Sequence, residues 1–278
     1  MTASTSLRPE THVTSPPDIT AAKATIDDIE IRGVSFRGIA HQMFDEPRQD
    51  SFAFAANDDW VVLAVSDGIG SCQHSHHGSS AAVNAIAGAV ESRALEPDNG
   101  EEVLATAIDA ALKMAQALDV PTNDVSTTLT VAAVRRRAQD DGSRHVIIHA
   151  VGDSPALRLD IPNAIWTYLT PNDEGPSNVV RSWVPDHAGD SLSFGMTLPP
   201  ESVLVLASDG FTVPFGDGTG PLGTDLANRW TGQARELLPF LVDLSFNAYH
   251  DDKTVVALWN PATKPHPGTE PETGHDDV

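Results

Sequence analysis

The feature that most constrains the fold is an unbroken apolar segment, Trp-Val-Val-Leu-Ala-Val-Ser at residues 60–66, which leads directly into Asp67 and Gly68. A valine-rich run that ends in a turn signal is typical of a strand whose two faces are both covered by other layers. A carboxylate at the end of such a strand is costly to bury unless it is neutralised or finds a cation. Gly68 and Gly70 also leave space for backbone carbonyls to approach a ligand. The segment therefore predicts a buried central strand whose end forms one wall of a metal site.

The same signal recurs later in the chain. Apolar residues 203–207 run into a second Ser-Asp-Gly, so that Asp209 takes the place that an aspartate has in the first segment. Residues 254–259 form another apolar run, and Asp251 lies just before it. If these two strands are antiparallel neighbours, the end of one lies beside the start of the other. We therefore expect Asp209 and Asp251 at the same rim of a sheet.

A hairpin places a further pair of acids together. Residues 51–56 and 60–66 are predicted strands, and Asn-Asp-Asp between them is a turn sequence. In such a hairpin Asp50, at the start of the first strand, faces Asp67 at the end of the second. Opposed carboxylates repel, and a cation between them removes that conflict. With the Gly68 carbonyl the aspartates make an all-oxygen ligand set, which suits Mg²⁺ or Mn²⁺. Any single Asp-Gly is also a common turn dipeptide, and the repetition at strand ends is what favours a site.

The order of the predicted elements indicates the fold class. Helices are predicted at residues 79–90, 101–118 and 234–247 from helical spacing or small-residue composition. Strands do not alternate with these helices, as they would in a parallel α/β sheet. We therefore expect an α+β sandwich of antiparallel sheets with helices packed outside them. The predicted strands are residues 30–37, 51–56, 60–66, 127–134, 144–151, 156–160, 165–169, 203–207 and 254–259.

Composition along the chain predicts one domain with two tails. Residues 1–25, rich in Thr, Ser and Pro, are predicted to be a disordered arm, and residues 261–278 a disordered acidic tail. Residues 26–260 contain no linker long enough to divide them. Within this domain residues 170–193 turn polar and are predicted to be a long irregular insertion, which is usually functional in a compact domain.

The charge and the cysteine content restrict the class of protein. The chain has 39 acidic and 17 basic residues and a formal charge of -22, which disfavours nucleic acid and anionic membranes as partners. It has no apolar run long enough to span a bilayer and no apolar signal core, so we expect a soluble, cytoplasmic protein. Its single cysteine, Cys72, excludes an intramolecular disulfide and a cysteine zinc cluster. The sequence leaves the oligomeric state open, and a monomer is the default expectation.

Six short motifs resemble those of the metal-dependent protein phosphatases of the protein phosphatase 2C type, in particular a bacterial branch of that family. They occur in the family's order across residues 30–260, and the ordered set carries the resemblance. In chain order the motifs are Gln49-Asp50-Ser51-Phe52, Ser66-Asp67-Gly68-Ile69-Gly70, Ser126-Thr127-Thr128-Leu129, Val151-Gly152-Asp153-Ser154, Ser208-Asp209-Gly210 and Asp251-Asp252-Lys253-Thr254-Val255.

The resemblance implies a four-layer α/β/β/α sandwich and a centre of two Mn²⁺ or Mg²⁺ ions that hydrolyses phosphoserine and phosphothreonine in proteins. By the same resemblance Asp50, Asp67, Asp209 and Asp251 hold the metals, and Gly68 contributes its carbonyl. Two such ions activate water for in-line attack on phosphorus and neutralise the phosphoryl oxygens, which lets an acidic protein accept an anionic substrate. A phosphorylated protein is the implied substrate, a serine/threonine kinase is its implied counterpart, and the polar insertion resembles the family's variable flap.

The chain departs from the family at the group that binds phosphate. The family has an arginine five residues before the first metal aspartate, and this chain has Asp45 there. Arg48 is the nearest candidate for that role, because arginine forms bidentate phosphate contacts, although a solvated surface charge is the ordinary alternative. His41 is placed like the histidine of a Ser-His pair in a bacterial branch of the family. It is a candidate proton carrier, and a purely structural histidine is the alternative.

Two further departures concern a third ion. Val213 occupies the place of an aspartate that helps to hold a third metal in many relatives. Asp153 is then the main candidate ligand for a third metal, and that site stays open. Pro155 replaces an arginine that usually follows Gly-Asp-Ser.

Three other patterns are better explained by ordinary structural roles than by catalysis or metal binding. Residues 152–156 match a nucleophile elbow in part, but alternating residues follow where the motif needs a helix. His74, His76 and His77 lack the wider ligand set of a zinc site and are better explained as a solvated loop beside the active site. The three arginines at residues 135–137 indicate the end of a strand or a turn.

Two rival functions keep the same cleft. One is a phosphatase-like module that binds a phosphopeptide or another partner with little turnover, which the aspartate at position 45 favours. The other is a two-metal hydrolase of small phosphate esters or of a nucleotide. Substrate preference and turnover distinguish both from a protein phosphatase.

Overall fold

Two antiparallel sheets face each other at the centre of the molecule, in a computed structural model that describes residues 18–171, 182–246 and 250–262. In chain order the strands are β1 (Ile19–Ile26), β2 (Ile29–Phe36), β3 (Ser51–Ala56), β4 (Trp60–Ser66), β5 (Leu129–Arg135), β6 (Arg144–Val151), β7 (Ala156–Asp160), β8 (Ile165–Tyr168), β9 (Leu192–Leu198), β10 (Ser202–Ala207) and β11 (Lys253–Asn260). The helices are α1 (Ile39–Met43), α2 (Ser75–Glu91), α3 (Gly100–Leu118), α4 (Asp209–Phe215), α5 (Pro221–Arg229) and α6 (Leu237–Leu244).

Each sheet collects strands from distant parts of the chain. The first has the order β1-β2-β11-β10-β7-β8, and the second has the order β3-β4-β5-β6-β9. Helices α2 and α3 cover the outer face of the second sheet, and α4, α5 and α6 cover that of the first. The expected α+β fold, a four-layer α/β/β/α sandwich, is therefore confirmed. Within the described ranges, no helix is both long and apolar enough to cross a membrane.

The position of β4 between two layers explains why six of its seven residues are apolar. All seven of its residues are buried. Val61, Leu63 and Val65 point into the core between the two sheets, whereas Val62 and Ala64 pack against the helices outside. Because both faces meet another layer, the strand has no position at which a polar side chain reaches water.

The pairing of the strands gathers several chain ends at one end of the sandwich. Ser51 pairs with Ser66 across β3 and β4, which is the hairpin register expected from the sequence. Ala207 pairs with Val255, so β10 and β11 are antiparallel neighbours as expected. The residues just outside these pairs therefore lie at the same rim, and these residues are the aspartates singled out from the sequence.

Two strands correct the sequence-based prediction. The arm predicted as residues 1–25 extends too far, because residues 19–26 form β1, an edge strand paired only with β2. Its many alanines and threonines disguise the alternation that a strand shows. Strand β9 begins inside the predicted insertion 170–193 and alternates half-buried Leu192, Phe194 and Met196 with exposed small residues. Residues 1–17, 172–181 and 263–278, which include most of the predicted arm and tail, lie outside the described residues.

Helices α4 and α5 lie where the sequence analysis predicts no element. Both are short, Pro214 lies inside α4, and α5 contains only two leucines as large apolar residues, so the sequence signal for a helix is weak. The helix predicted at residues 234–247 is shorter, because α6 covers only Leu237–Leu244. Helix α2 begins four residues earlier than predicted, at Ser75.

Candidate metal centre

Four aspartates from four separate parts of the chain meet at this rim. Asp67 lies close enough to Asp50, Asp209 and Asp251 for the charge of each to raise its pKa. Asp251, just before β11, raises the pKa of Asp209 through its charge. Asp50 and Asp67 belong to the second sheet, whereas Asp209 and Asp251 belong to the first. The cluster therefore joins the two sheets.

Burial and mutual repulsion disfavour negative charge on the acids of this cluster. Burial, together with the charge of Asp252, raises the pKa of Asp50 to about 8. Burial and the charges of Asp251 and Asp153 raise that of Asp209 to about 7. Burial and repulsion by the neighbouring acids also hold the pKa of Asp67 well above its ordinary value. A bound divalent cation reverses this balance, because it favours the charged carboxylates.

One carboxylate oxygen in the centre has an unmet need. The Oδ2 atom of Asp50 accepts a hydrogen bond of 2.6 Å from Ser208 Oγ. Its Oδ1 atom is buried and finds no hydrogen-bond donor among the described residues. A buried oxygen without a donor is unusual in a folded protein, and a metal ion is a natural partner for it. The donor set therefore fits a hard divalent ion, and Asp50 is its most buried member.

The carboxyls influence one another but do not have the spacing of ligands around an ion. Within the described ranges, no group of three His, Cys, Asp or Glu side chains already has the arrangement of a bound ion's ligands. The raised pKa values of Asp50, Asp67 and Asp209 favour protonated carboxyls in this cluster. Metal ligands must be deprotonated, so ion binding and loss of those protons go together.

The turn after β4 is packed so closely that a glycine is required. A Cβ atom on Gly68 would lie 2.8 Å from Ser75 Oγ and 3.0 Å from Gln49 Cβ. Ser75, the first residue of α2, donates a hydrogen bond of 3.1 Å to Gln49 Oε1. Gly68 also forms a bridge with Thr127. The turn is therefore held between α2, the segment before β3 and the segment before β5.

Two threonines fix the backbone of Asp67. Thr127 donates its hydroxyl to the Asp67 carbonyl at 2.7 Å, and Thr128 Oγ1 accepts the Asp67 N–H at 3.0 Å. The Thr128 N–H also donates to the Asp67 carbonyl, at 2.8 Å. The Thr-Thr motif thus orients the carboxylate of a neighbouring strand, a role that its sequence position did not reveal.

Asp252 is the functional residue that sequence reasoning missed. It is 2% exposed, and its carboxylate accepts hydrogen bonds from Gly38 N at 2.6 Å, from Gln49 N and from Asp50 N at 3.4 Å. It also contacts His41 Nδ1 at 2.8 Å. Asp252 therefore ties the segment that leads into β3 to the start of β11. The signal in the sequence is the pair Asp251-Asp252, in which only Asp251 is predicted to be a ligand.

His41 and Arg48 both contact residues that hold the carboxylates in place. The hydrogen bond to Asp252 raises the pKa of His41 although burial opposes the change, so the imidazolium form is favoured there. Arg48 donates to the carbonyl of Asp50 at 3.1 Å and to Thr20 Oγ1 at 2.7 Å. These bonds fix the loop that carries Asp50 to β1. Whether either residue contacts a phosphoryl group stays a prediction.

The remaining sequence signals take ordinary places. Asp153 follows β6 and influences Asp209 through its charge, and its role as a third-metal ligand stays a prediction. Val213 lies on α4 and is exposed. Strand β7 begins directly after Pro155, so the helix that a nucleophile elbow needs is replaced by a strand. His74 caps the start of α2, and His76 and His77 lie in its first turn. Arg135 ends β5 as expected.

Comparison with known proteins gives a consistent picture. A sequence model of the family Protein phosphatase 2C matches residues 37–247. The fold is similar to that of the serine/threonine phosphatase of S. agalactiae, with a TM-score of 0.60 and 16% identity over 83% of this chain and 99% of that one. The phosphatase Stp1 of Staphylococcus aureus gives 0.59 and 15% identity over 87% and 96%. MsPP of Mycobacterium smegmatis, a PPM Ser-Thr phosphatase solved with cacodylate, gives 0.52 and 20% over 85% and 99%. Among curated protein sequences, none matches.

Proposed function

The chain belongs to the protein phosphatase 2C family of metal-dependent protein phosphatases, and we propose that Asp50, Asp67, Asp209 and Asp251 form its metal centre. The Gly68 carbonyl joins this ligand set. The proposed substrates are proteins phosphorylated on serine or threonine, with a serine/threonine kinase as the opposing enzyme. The cytoplasmic location, the monomeric state and the single catalytic domain stay predictions.

The observation that carries the proposal is the buried Asp50 oxygen without a donor, in a cluster of acids whose pKa values are raised by burial and by neighbouring acids. Such an arrangement costs folding free energy unless cations bind there. Oxygen ligands of this kind suit Mn²⁺ or Mg²⁺, and we propose two ions because the motifs of the chain resemble those of a family with a two-metal centre. When bound, two such ions supply an activated water and charge neutralisation for phosphoryl transfer.

The residues of the chain then position the ligands and handle charge. Asp252 and the backbone around Asp50 keep that carboxylate aimed at the centre. Ser208 holds the other Asp50 oxygen. His41 is favoured in its protonated form, and as a cation at the edge of the centre it can donate a proton to a leaving alkoxide. No side chain of the cluster needs to act as a nucleophile.

Turnover of a phosphothreonine peptide tests the metal centre. We expect hydrolysis with Mn²⁺, loss of activity on addition of a chelator, and at least a ~100-fold lower kcat in Asp209→Asn, because even loss of an outer-shell partner costs about 10–100-fold. Asp109→Asn is the matched control, since Asp109 is an exposed acid paired with Lys113 on α3. Activity that persists in chelator, or in Asp209→Asn, contradicts the proposal.

The same assay separates the two rival functions. A binding module gives calorimetric heat with Mn²⁺ and a phosphopeptide while turnover stays at background. A hydrolase of small esters gives a higher kcat/KM for small phosphate esters or nucleotides than for phosphopeptides. The protein phosphatase gives the reverse preference.

A further inference from the structure

Exposed apolar side chains concentrate beside the metal centre. Of the nine large apolar residues that are exposed in the described part of the chain, Ile39, Met43 and Phe44 lie in or directly after α1. Met43 is 75% exposed and Phe44 is 72% exposed. A fourth, Val213, lies on α4, one turn after the Asp209-Gly210 pair. Single exposed apolar residues are common on protein surfaces, but three within one short segment beside the candidate site, Ile39, Met43 and Phe44, indicate an interaction surface.

The α1 segment, residues 39–46, is held firmly against the centre. The N–H of Ala40 donates to the carbonyl of His250 at 3.0 Å, and Gly38 N donates to Asp252 at 2.6 Å. The N–H of Phe44 closes the helix on the carbonyl of Ala40 at 3.1 Å. These hydrogen bonds anchor the backbone of α1 to the residues that lead into β11. The fold therefore fixes Met43 and Phe44 in exposed positions.

Acidic groups surround this apolar surface. The side chain of Asp45 is fully exposed, and those of Glu46 and Asp18 are about half exposed. Arg37 lies among them but is largely buried, with contacts to Asp18 at 3.1 Å and to Asp45 at 3.9 Å. Arg37 and protonated His41, which lies 3.9 Å from Glu46, offset part of this charge, but both side chains are largely buried and the three acids leave the exposed surface negative. An approaching segment with lysine or arginine therefore gains favourable electrostatic interaction here.

We propose that Met43 and Phe44 form a docking surface for the polypeptide that flanks the phosphorylated residue, and that preferred substrates carry an apolar residue and a basic residue there. This inference rests on the proposed phosphatase function. Phenylalanine and methionine are enriched at protein interfaces, where they bury apolar area at low cost. The exposed acids Asp18, Asp45 and Glu46 favour a flanking segment with positive charge, and the metal centre receives the phosphoryl group.

Kinetics on two sizes of substrate test the docking surface. The substrates are p-nitrophenyl phosphate, which has no flanking segment, and a phosphothreonine peptide with leucine and arginine beside the phosphorylated residue. In Met43→Ser/Phe44→Ser we expect kcat/KM for the peptide to fall about tenfold, mainly through KM, because exposed apolar area on the enzyme no longer binds it. The values for p-nitrophenyl phosphate should stay within about twofold, since the metal centre is unchanged.

Leu238→Ser is the matched control. Leu238 is 69% exposed near the start of α6. The start of α6 lies beside the middle of β1, where Glu236 pairs with Lys23, whereas α1 follows the other end of that hairpin, where Ile19 pairs with Phe36. This variant should leave both substrates unaffected. Peptide kinetics that do not change in the double variant, or an equal fall on both substrates, overturn the docking role while the phosphatase function stands. Wild-type enzyme that turns over neither substrate contradicts the phosphatase function and the docking role with it.

The charge preference has its own variant. Asp45 has a φ of 57°, in the left-handed region that asparagine tolerates, so Asp45→Asn removes the charge without straining the backbone. We expect the preference for an arginine-flanked over a glutamate-flanked peptide to fall about threefold, and the wild-type preference to weaken at high salt. An unchanged preference overturns the electrostatic part of the proposal.

Discussion

The two Ser-Asp-Gly turns have the same sequence and similar buried strands before them, yet they continue differently. After Asp67 the chain stays extended and Gly68 bridges to Thr127, whereas Asp209 begins helix α4. Their serines also differ. Ser66 donates to the carbonyl of Thr128 at 2.6 Å, within its own sheet. The tripeptide therefore places an aspartate at the end of a strand. The residues packed around it determine whether the chain then stays extended or begins a helix.

The second turn carries more of the connection between the sheets. Ser208 Oγ donates to Asp50 of the second sheet and accepts the N–H of Thr254 in the first at 2.9 Å. Gly210 packs on the backbone of Asp252, whereas Gly68 packs on the side chain of Ser75. The first turn therefore presents a proposed ligand, whereas the second presents a proposed ligand and also connects the two sheets through Ser208.

Substituting the two glycines gives the largest expected difference. A Cβ atom on Gly210 would overlap the carbonyl oxygen of Asp252, and a backbone atom cannot rotate away. We expect Gly210→Ala to lower the free energy of unfolding by ~3 kcal/mol or more, and Gly68→Ala by ~1–2 kcal/mol, since overpacking costs about 1–3 kcal/mol where side chains can adjust. Urea unfolding measures both. Equal losses would break the distinction between the turns.

Metal-dependent stability examines what the turns share. Saturating Mn²⁺ should stabilise the wild-type protein by about 2.7 kcal/mol at a hundred times its Kd, because it binds the folded chain only. Asp67→Asn and Asp209→Asn should each lose most of this increase, as seen in the midpoint of thermal unfolding with and without Mn²⁺. Asp109→Asn, an exposed acid on α3, should keep it. A full increase in either turn variant would show that its aspartate does not bind metal.

The serines give the smallest and most selective effect. Ser208→Ala removes a donor from a buried carboxylate and leaves the Thr254 N–H unpartnered, so we expect a loss of ~2 kcal/mol in unfolding free energy, against ~1 kcal/mol for Ser66→Ala. Ser208→Ala should also weaken Mn²⁺ binding about 10-fold, since outer partners orient metal ligands. Calorimetric titration with Mn²⁺ checks this. Similar Mn²⁺ affinity in the two variants would contradict the bridging role of Ser208.

The sequence predicts the family, the α+β sandwich and the convergence of the aspartates, because these follow from local signals. Asp50 and Asp67 come together through a short hairpin whose register its turn determines. The pairing of β10 with β11 follows from two apolar runs that each border an acid. Such features need only strand periodicity and turn position, and both can be read over a few residues.

What the sequence does not predict depends on contacts between distant segments. Asp252 and Ser208 act through hydrogen bonds to residues 46 to 214 positions away in the chain, and no local pattern encodes them. Strand β1 is an edge strand of small residues, so burial leaves little trace in its composition. Helix α4 contains a proline and begins at Asp209, a proposed metal ligand, so tertiary packing at this rim outweighs its weak helix propensity.

Strand β1 also has a mechanical consequence for the centre. Arg37 pairs with Asp18, and Arg48 bonds to Thr20 while its Nε holds the carbonyl of Asp50. Tension applied to the chain ahead of Ile19, by a fused domain or a surface tether, would therefore act on β1, which Arg48 connects to the loop that carries Asp50. A recombinant enzyme that begins at residue 27 would lack β1 and the Thr20 partner of Arg48, which would loosen the loop that carries Asp50. We therefore expect an active enzyme to include Asp18 and the whole of β1.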